Sequence, residues 1–324
     1  MTAPDPSSGT GSFPRHWVGA LCAVFGVLGF SFKAILIKLA YRDYPVDAIT
    51  LLTLRMLYSA PLFLFMAAWA QRAARSAPTT RSDWMRLVWL GCIGYYLASL
   101  LDFMGLQYIT ASLERLVLFL YPTLVVLLSA LLLGRSITRR AVAALVLSYA
   151  GIALVFWHDL RFAVDAGATL TGGGLVFASA ILYALYLVQA GGVIARLGSA
   201  RFISWAMLAS TVFIVVQFLL TRPLSALAVP GTIHAISLAM AIFSTVLPTW
   251  LIAESIRRMG ANSASLVGSL GPVFTIGLGA VILGEPVHAI QLAGAALVLG
   301  GVMLVTMNAG RNAQANANGP ISPE

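Results

Sequence analysis

The chain has 324 residues, of which 60% are hydrophobic and only 10% charged, with 20 Lys and Arg against 11 Asp and Glu. A soluble domain carries about a quarter charged residues, so this composition excludes one and makes lipid the solvent. The formal charge of +9 does not point to nucleic acid, because the cations fall in short runs between apolar segments rather than on one solvated face.

From the N-terminus, a polar start (Met1 to His16) leads into an apolar run of full spanning length, so the first span is expected to be retained rather than cleaved. A hydrocarbon core about 30 Å thick needs roughly 20 helical residues. Runs of that length predict ten spans, at 17–39, 48–70, 87–107, 112–134, 140–157, 172–194, 201–221, 232–254, 262–283 and 289–307, the fifth being the shortest. The expected fold class is therefore an all-α membrane protein of ten transmembrane helices, with tails at 1–16 and 308–324. Cys22 and Cys92 lie inside apolar stretches and are too few for a disulfide framework or a zinc site of CxxC type. His158, His234 and His288 fall near one surface and would hold a metal only if three distant loops converged; no metal or cofactor is expected.

Short cytoplasmic loops carry an excess of Lys and Arg. With the N-terminus inside, thirteen cations fall in cytoplasmic segments, among them Arg72, Arg75, Arg81 and Arg86, then Arg135, Arg139 and Arg140. The opposite loops hold only Arg42, Arg161 and Arg222. Both termini are expected in the cytoplasm, and most tryptophans, including Trp17, Trp69, Trp157 and Trp205, fall near span ends as interfacial anchors do. Arginine outnumbers lysine by 18 to 2 and Ala and Gly are abundant, which suggests a GC-rich bacterial source and an inner membrane.

The sequence repeats itself at an offset of 150 residues. Ala111, Leu116, Val117, Leu120, Pro122, Leu128, Ala130, Leu133 and Gly134 recur as Ala261, Leu266, Val267, Leu270, Pro272, Leu278, Ala280, Leu283 and Gly284; Leu147, Gly151, Leu154 and Val155 recur as Leu297, Gly301, Leu304 and Val305. The reading is two repeats, 17–157 and 172–307, joined by an outer linker at 158–171. Five spans per repeat make them inverted, which places a pseudo-two-fold axis in the membrane plane and a cleft between the halves.

The segments "LERLVLFLYPTLVVLLSALLLGRSIT" and "SLVGSLGPVFTIGLGAVILGEPVHAIQLAGAALVLGGVMLV" resemble the ends of the two tandem units of the EamA family in the drug/metabolite transporter superfamily, from about Trp17 to Asn308. The core of the resemblance is a mid-span proline followed by an apolar run ending in Leu-Gly-Glu. Gly284 and Glu285 match it, whereas the first unit has Arg135 where Glu is usual, so no role of that carboxylate carries over to the first half. The resemblance implies ten helices, cytoplasmic termini, and export or exchange of small metabolites.

Ionisable side chains within hydrocarbon cost about 2.5 to 3.5 kcal/mol each on insertion scales, so each is a functional candidate. Lys33, Arg55 and Asp102 lie five to seven residues from the outer ends of spans one to three, and Glu114 with Arg115 opens span four on the same side. Together they would form a vestibule of net charge about +1, able to hold a substrate carboxylate or phosphate, with Asp102 or Glu114 carrying a coupling proton. The alternative is that Lys33 and Arg55 snorkel outward while Glu114 and Arg115 sit at the headgroups. Tyr95, Tyr96, Tyr183, Tyr186, Gln189 and Gln217 are candidates to line a cavity, and Glu254 with Arg257 is an interfacial pair one turn apart. Pro122 and Pro272 mark equivalent kinks, the hinge candidates, and Gly26 with Gly29 and Gly268 with Gly271 are packing pairs.

A pump driven by ATP would need a GxxxxGK[ST] loop, and an intramembrane hydrolase HExxH or GxSxG; the chain has none of these. The expected function is a secondary transporter, not an enzyme. It would move a small, amino-acid-like metabolite by alternating access, with protons as the candidate coupling ion, as a monomer or a homodimer. The competing class is a membrane-embedded enzyme acting on a lipid-linked substrate through the outer charge cluster.

Overall fold

The computed structural model describes residues 13–73, 79–134 and 136–317, and these are helical apart from short connections. The helices are α1 Phe13–Asp43 and α2 Ala48–Ala73, then α3 Arg81–Gly105, α4 Ala111–Leu133, α5 Arg139–Phe162, α6 Ala166–Leu197, α7 Ser199–Thr221 and α8 Gly231–Met259. Next, α9 comes as Ala261–Gly268 and Gly271–Leu278, running on into the turn Gly279–Leu283, and α10 is Ala289–Ala317. Among the described residues nine helices are long and apolar enough to cross a bilayer, and Ala289–Leu304 of α10 supplies a shorter tenth. The large apolar side chains on their outer faces, such as Phe65, Leu131 and Leu220, are more than 70% exposed, as lipid contact requires.

Three boundaries differ from the hydropathy reading. Helix α3 starts at Arg81 rather than 87, because Thr80 and Asp83 form a reciprocal capping box that stabilises a polar first turn invisible to hydropathy. Helix α5 has 24 residues and is not the shortest; the apolar stretch of α9, Leu266–Leu283, has 18. The expected linker 158–171 is helical except at 163–165, since α5 continues to Phe162 and Asp165 caps α6 by accepting from Ala168 N at 3.0 Å. Arg135 lies outside the described residues, as do 1–12 and 318–324 of the tails.

The repeat is written into the backbone. Helix α4 breaks in a turn at Phe119–Leu120 and α9 in a turn at Ser269–Leu270, the same place at the 150-residue offset. Pro122 and Pro272 occupy the first turn of the segment that follows, so each kink is a break just before the proline, where its missing N–H costs nothing. Helices α3 and α8 carry wide π-helical turns at Cys92–Leu97 and Ile242–Val246, again equivalent. Gly134 and Gly284 end α4 and α9 with φ of 64° and 69°, a left-handed conformation that glycine adopts without a Cβ clash.

Packing obeys the same symmetry. Helix α1 packs on α8 and its counterpart α6 on α3, while α2 pairs with α7 and α5 with α10. Gly29 lets Pro248 of α8 close on α1; their equivalents are Ser179 and Ala98, and Ser179 Oγ donates to the Ala98 carbonyl at 2.7 Å. In the α5–α10 seam a Cβ on Gly151 would come 2.6 Å from the Gly294 carbonyl oxygen, and one on Gly301 2.6 Å from that of Ala144. These two contacts are exchanged by the offset. Because the three-residue α5–α6 connection turns the chain back, α6 runs opposite to α1 and the second half is inverted.

Gly294→Val is expected to force this seam apart, costing about 1 to 3 kcal/mol or more as overpacking between two backbones. Thermal unfolding in detergent would register it, against an exposed control such as Val281→Ala (Val281 is 85% exposed) that leaves the midpoint in place.

Candidate functional site

Helix α1 lies along the C-terminal end of α3 and binds it through three polar side chains. Tyr41 Oη donates to the Phe103 carbonyl at 3.0 Å, Lys38 Nζ to the Leu106 and Ile109 carbonyls at 3.3 and 3.0 Å, and Lys33 Nζ to Asp102 Oδ2 at 2.6 Å. Lys38 thus satisfies the orphan carbonyls at the end of a helix, the role a lysine there fills best. Lys33 is shared, with Glu114 Oε1 also within 3.4 Å. Asp102 is 2% exposed and Glu114 fully buried. Neither Glu114 oxygen, nor Asp102 Oδ1, has a hydrogen-bond partner among the described residues.

Glu114 is held there by the start of α4. Thr110 caps that helix by accepting from Leu113 N at 3.1 Å, and Glu285, from the other repeat, accepts from Ala111 N and Ser112 Oγ at 2.8 Å and from Ser112 N at 3.3 Å. A carboxylate meeting the free N–H groups and positive pole of a helix is a favourable arrangement. It ties the end of α9 to the helix that carries Glu114 and Arg115.

Two arginines flank the Lys33–Asp102–Glu114 triad. Arg55, 7% exposed, donates from Nε to Thr245 Oγ1 at 3.1 Å and places its guanidinium 5.5 Å from the Phe103 ring centre, while its Nη1 has no partner among the described residues. Thr245 sits in the wide turn of α8 and donates to the Met240 carbonyl at 3.0 Å. Its equivalent in the wide turn of α3 is Tyr95, whose hydroxyl meets that of Tyr186 at 2.8 Å. Both wide turns therefore aim a hydroxyl into the space between the halves. Arg115 reaches across to α9, where only the absence of a side chain at Gly271 leaves room: a Cβ there would lie 2.7 Å from Nη2. Its Nε is buried without a hydrogen-bond partner among the described residues.

The five charges expected at one depth do come together, at the end of the bundle that holds Asp47. Lys33 keeps only 16% side-chain exposure and Glu114 none, so these two side chains turn into the bundle rather than outward. At that end Arg222 reaches Asp47 at 3.3 Å and links the halves. Burial works against ionisation of Asp47, but the Thr50 hydroxyl and N–H and the Arg222 guanidinium outweigh it and hold the carboxyl below its ordinary range. With both partners about a third exposed, the link contributes under about 1 kcal/mol, lost as pH falls below roughly 3.9 towards the lower native value.

The polar cavity candidates divide. Tyr95, Tyr183 and Tyr186 form one aromatic cluster, joined by Tyr121. Tyr96 turns instead to α7, donating to Gln217 Oε1 at 3.1 Å and stacking on Phe213. Gln189 is exposed and accepts from Trp89 Nε1 at 3.2 Å, so it stands outside the cluster. The three histidines do not converge: His158 and His288 lie with ring centres 4.9 Å apart, whereas His234 pairs with the Tyr58 hydroxyl at 2.9 Å. Among the described residues no group of three or more His, Cys, Asp and Glu could hold a metal. Glu254 gathers Arg258 as well as Arg257, at 2.6 and 2.5 Å, an interfacial cluster at the opposite end. At that opposite end Arg196 pairs with Asp83.

Comparison with known proteins then decides the class. The EamA-like transporter family matches residues 17–157 and again 170–307. The chain belongs to this family. The uncharacterized transporter YcbK of Bacillus subtilis (strain 168) is 29% identical over 297 residues, 89% of this chain and 91% of YcbK. The probable terminal-alkyne amino-acid exporter of Streptantibioticus cattleyicolor is 28% identical over 224 residues, 66% of this chain and 71% of that protein. A solved crystal structure covers 91% of this chain and 98% of its own with a TM-score of 0.60 at 21% identity, a likeness of fold. This EamA protein is thus a multi-pass membrane protein of a transporter family.

Sequence reasoning missed Lys38, Thr245 and Tyr121. Lys38 had no signal, since five residues from Lys33 turn its position well off the same face of α1. Thr245 had none, because its importance comes from a wide turn that no residue pattern announces.

Proposed function

We propose that this EamA-like transporter is a secondary carrier that moves a small, amino-acid-like organic metabolite across the bacterial inner membrane by alternating access, with both termini cytoplasmic and protons as the coupling ion. The observation that carries the reading is the buried Lys33–Asp102–Glu114 cluster beside the boundary of two inverted, mutually packed repeats. An inverted pair can lean towards either side of the membrane around a fixed centre. Buried polar atoms without hydrogen-bond partners near the boundary of the two halves are costly to keep unless they bind something.

Within the cluster the two carboxylates compete for one ammonium. Lys33 favours Asp102, at 2.6 Å against 3.4 Å, and leaves Glu114 as the group to take up or release a proton. Arg55 and Arg115 make the whole set +1, so an arriving carboxylate neutralises it. The name of the Streptantibioticus cattleyicolor relative, an amino-acid exporter, supports a substrate that carries a carboxylate.

Counterflow of radiolabelled metabolites in proteoliposomes tests the function, and cysteine labelling tests the architecture behind it. On a background lacking Cys22 and Cys92, a thiol at Ser136 is expected to react with a membrane-impermeant maleimide from the cytoplasm and one at Val287 only from the opposite face. Labelling of both from one face, or no exchange of any metabolite by well-folded protein, overturns the carrier reading.

A further inference from the structure

We infer that the substrate is a small monocarboxylate with a flat, unsaturated body, its carboxylate bound by Arg115 and its body laid on a wall of tyrosines. This rests on the carrier reading and assigns the chemistry of its binding site.

The two-fold symmetry is broken at one informative place. Where the first repeat carries Tyr121, the second carries Gly271, and the volume so freed holds the guanidinium of Arg115. The arginine therefore spans from α4 to α9, between the two broken helices, with Nε buried and without a hydrogen-bond partner among the described residues. A planar guanidinium in this position is built to receive a carboxylate through two parallel N–H donors.

Beside it runs a continuous aromatic wall. The ring of Tyr121 meets that of Tyr183 at 5.2 Å, Tyr183 stacks on Tyr186 at 5.6 Å, and Tyr186 meets Tyr95 at 5.1 Å. Tyr121 and Tyr183 keep partial exposure, whereas Tyr186 is buried. Such rings reward an offset or edge contact from another π system beyond simple apolar burial.

Charge chooses among ligands. The five groups Lys33, Arg55, Arg115, Asp102 and Glu114 sum to +1, which a monocarboxylate cancels, whereas a phosphate dianion would leave a negative site next to buried Glu114. A cation that carries no carboxylate, which tyrosine faces alone would attract, is repelled by the net positive set and leaves Arg115 unpaired.

The test uses purified full-length protein in detergent and three probes read by isothermal titration calorimetry: phenylacetate, cyclohexylacetate (same charge, no π system) and phenethylamine (same ring, opposite charge). Phenylacetate is expected to bind, cyclohexylacetate at least fivefold more weakly, and phenethylamine not at all. Arg115→Lys is expected to weaken phenylacetate at least tenfold, because a point charge cannot supply the paired donors. Gly271→Ala is expected to weaken it severalfold while folding normally, since the added methyl displaces only the flexible end of Arg115; it carries the test if Arg115→Lys is unstable. Phenylacetate affinity indifferent to Gly271→Ala, or equal binding of phenethylamine, overturns the inference. Robust counterflow of some other solute, unaffected by Arg115→Lys, overturns it too while leaving the carrier standing.

Discussion

Lys33→Met is expected to lower the thermal midpoint of the purified protein by roughly 10 °C and to abolish transport. The substitution keeps the length and volume of the side chain and removes only the ammonium. Asp102 and Glu114, 2% and 0% exposed, then face each other without the cation they share. Removing one member of a buried charge set costs about 3 to 5 kcal/mol, because the remaining charge has neither water nor a partner. The double variant Lys33→Met with Asp102→Asn removes one of the stranded carboxylates and is expected to recover at least half of the lost stability but none of the transport. That split separates a structural from a functional role. A single variant with an unchanged midpoint would mean that the triad contributes nothing to the fold, and a transporting one would mean that it is not the coupling centre.

Glu114→Gln is expected to leave exchange intact and to remove drive. The amide matches a protonated carboxyl in shape, so solute counterflow down its own gradient continues. On the proposed reading, each proton moved against one solute at a ΔpH of 1 supports a tenfold solute gradient, about 1.4 kcal/mol. Wild-type proteoliposomes should approach that ratio for each proton coupled, and Glu114→Gln vesicles should stay near one. Accumulation that persists in the variant assigns the proton elsewhere, with Asp102 the next residue to change. Asp102 is the less suitable carrier, since its 2.6 Å contact to Lys33 already compensates its charge, whereas Glu114 lies 3.4 Å from that ammonium and neither of its oxygens has a hydrogen-bond partner among the described residues.

The arginine pair divides the remaining work. Arg55 is anchored by Thr245 and by the Phe103 ring, so it is a fixed element of the wall between α2 and α8. Arg115 lies over Gly271, and its Nε has no hydrogen-bond partner among the described residues, which leaves that donor for a ligand. Two cations of the same type, at similar depth in the sequence reading, thereby acquire different roles from their neighbours alone.

Some of this molecule was determined by its sequence. Ten apolar runs, the 150-residue repeat and its odd number of spans sufficed for an inverted ten-helix bundle, because hydrocarbon solvent forces each run into a helix and each short loop into a reversal. The grouping of Lys33 with Asp102 was legible as well, since buried charges at matched depth have few partners other than each other. Tertiary structure decided what has no one-dimensional signature. The symmetric contacts of Gly29 with Pro248 and of Ser179 with Ala98 join positions whose residue types differ between the repeats, so only the folded pairing shows their equivalence. The wide turns that present Tyr95 and Thr245 have unlike sequences, CIGYYL and IFSTV, so no residue pattern announces them, and Gln189 lies exposed beside Trp89. Depth along a helix is counted in residues and can be read from a string. Direction around the helix depends on which neighbour packs where, and that only the assembled bundle fixes.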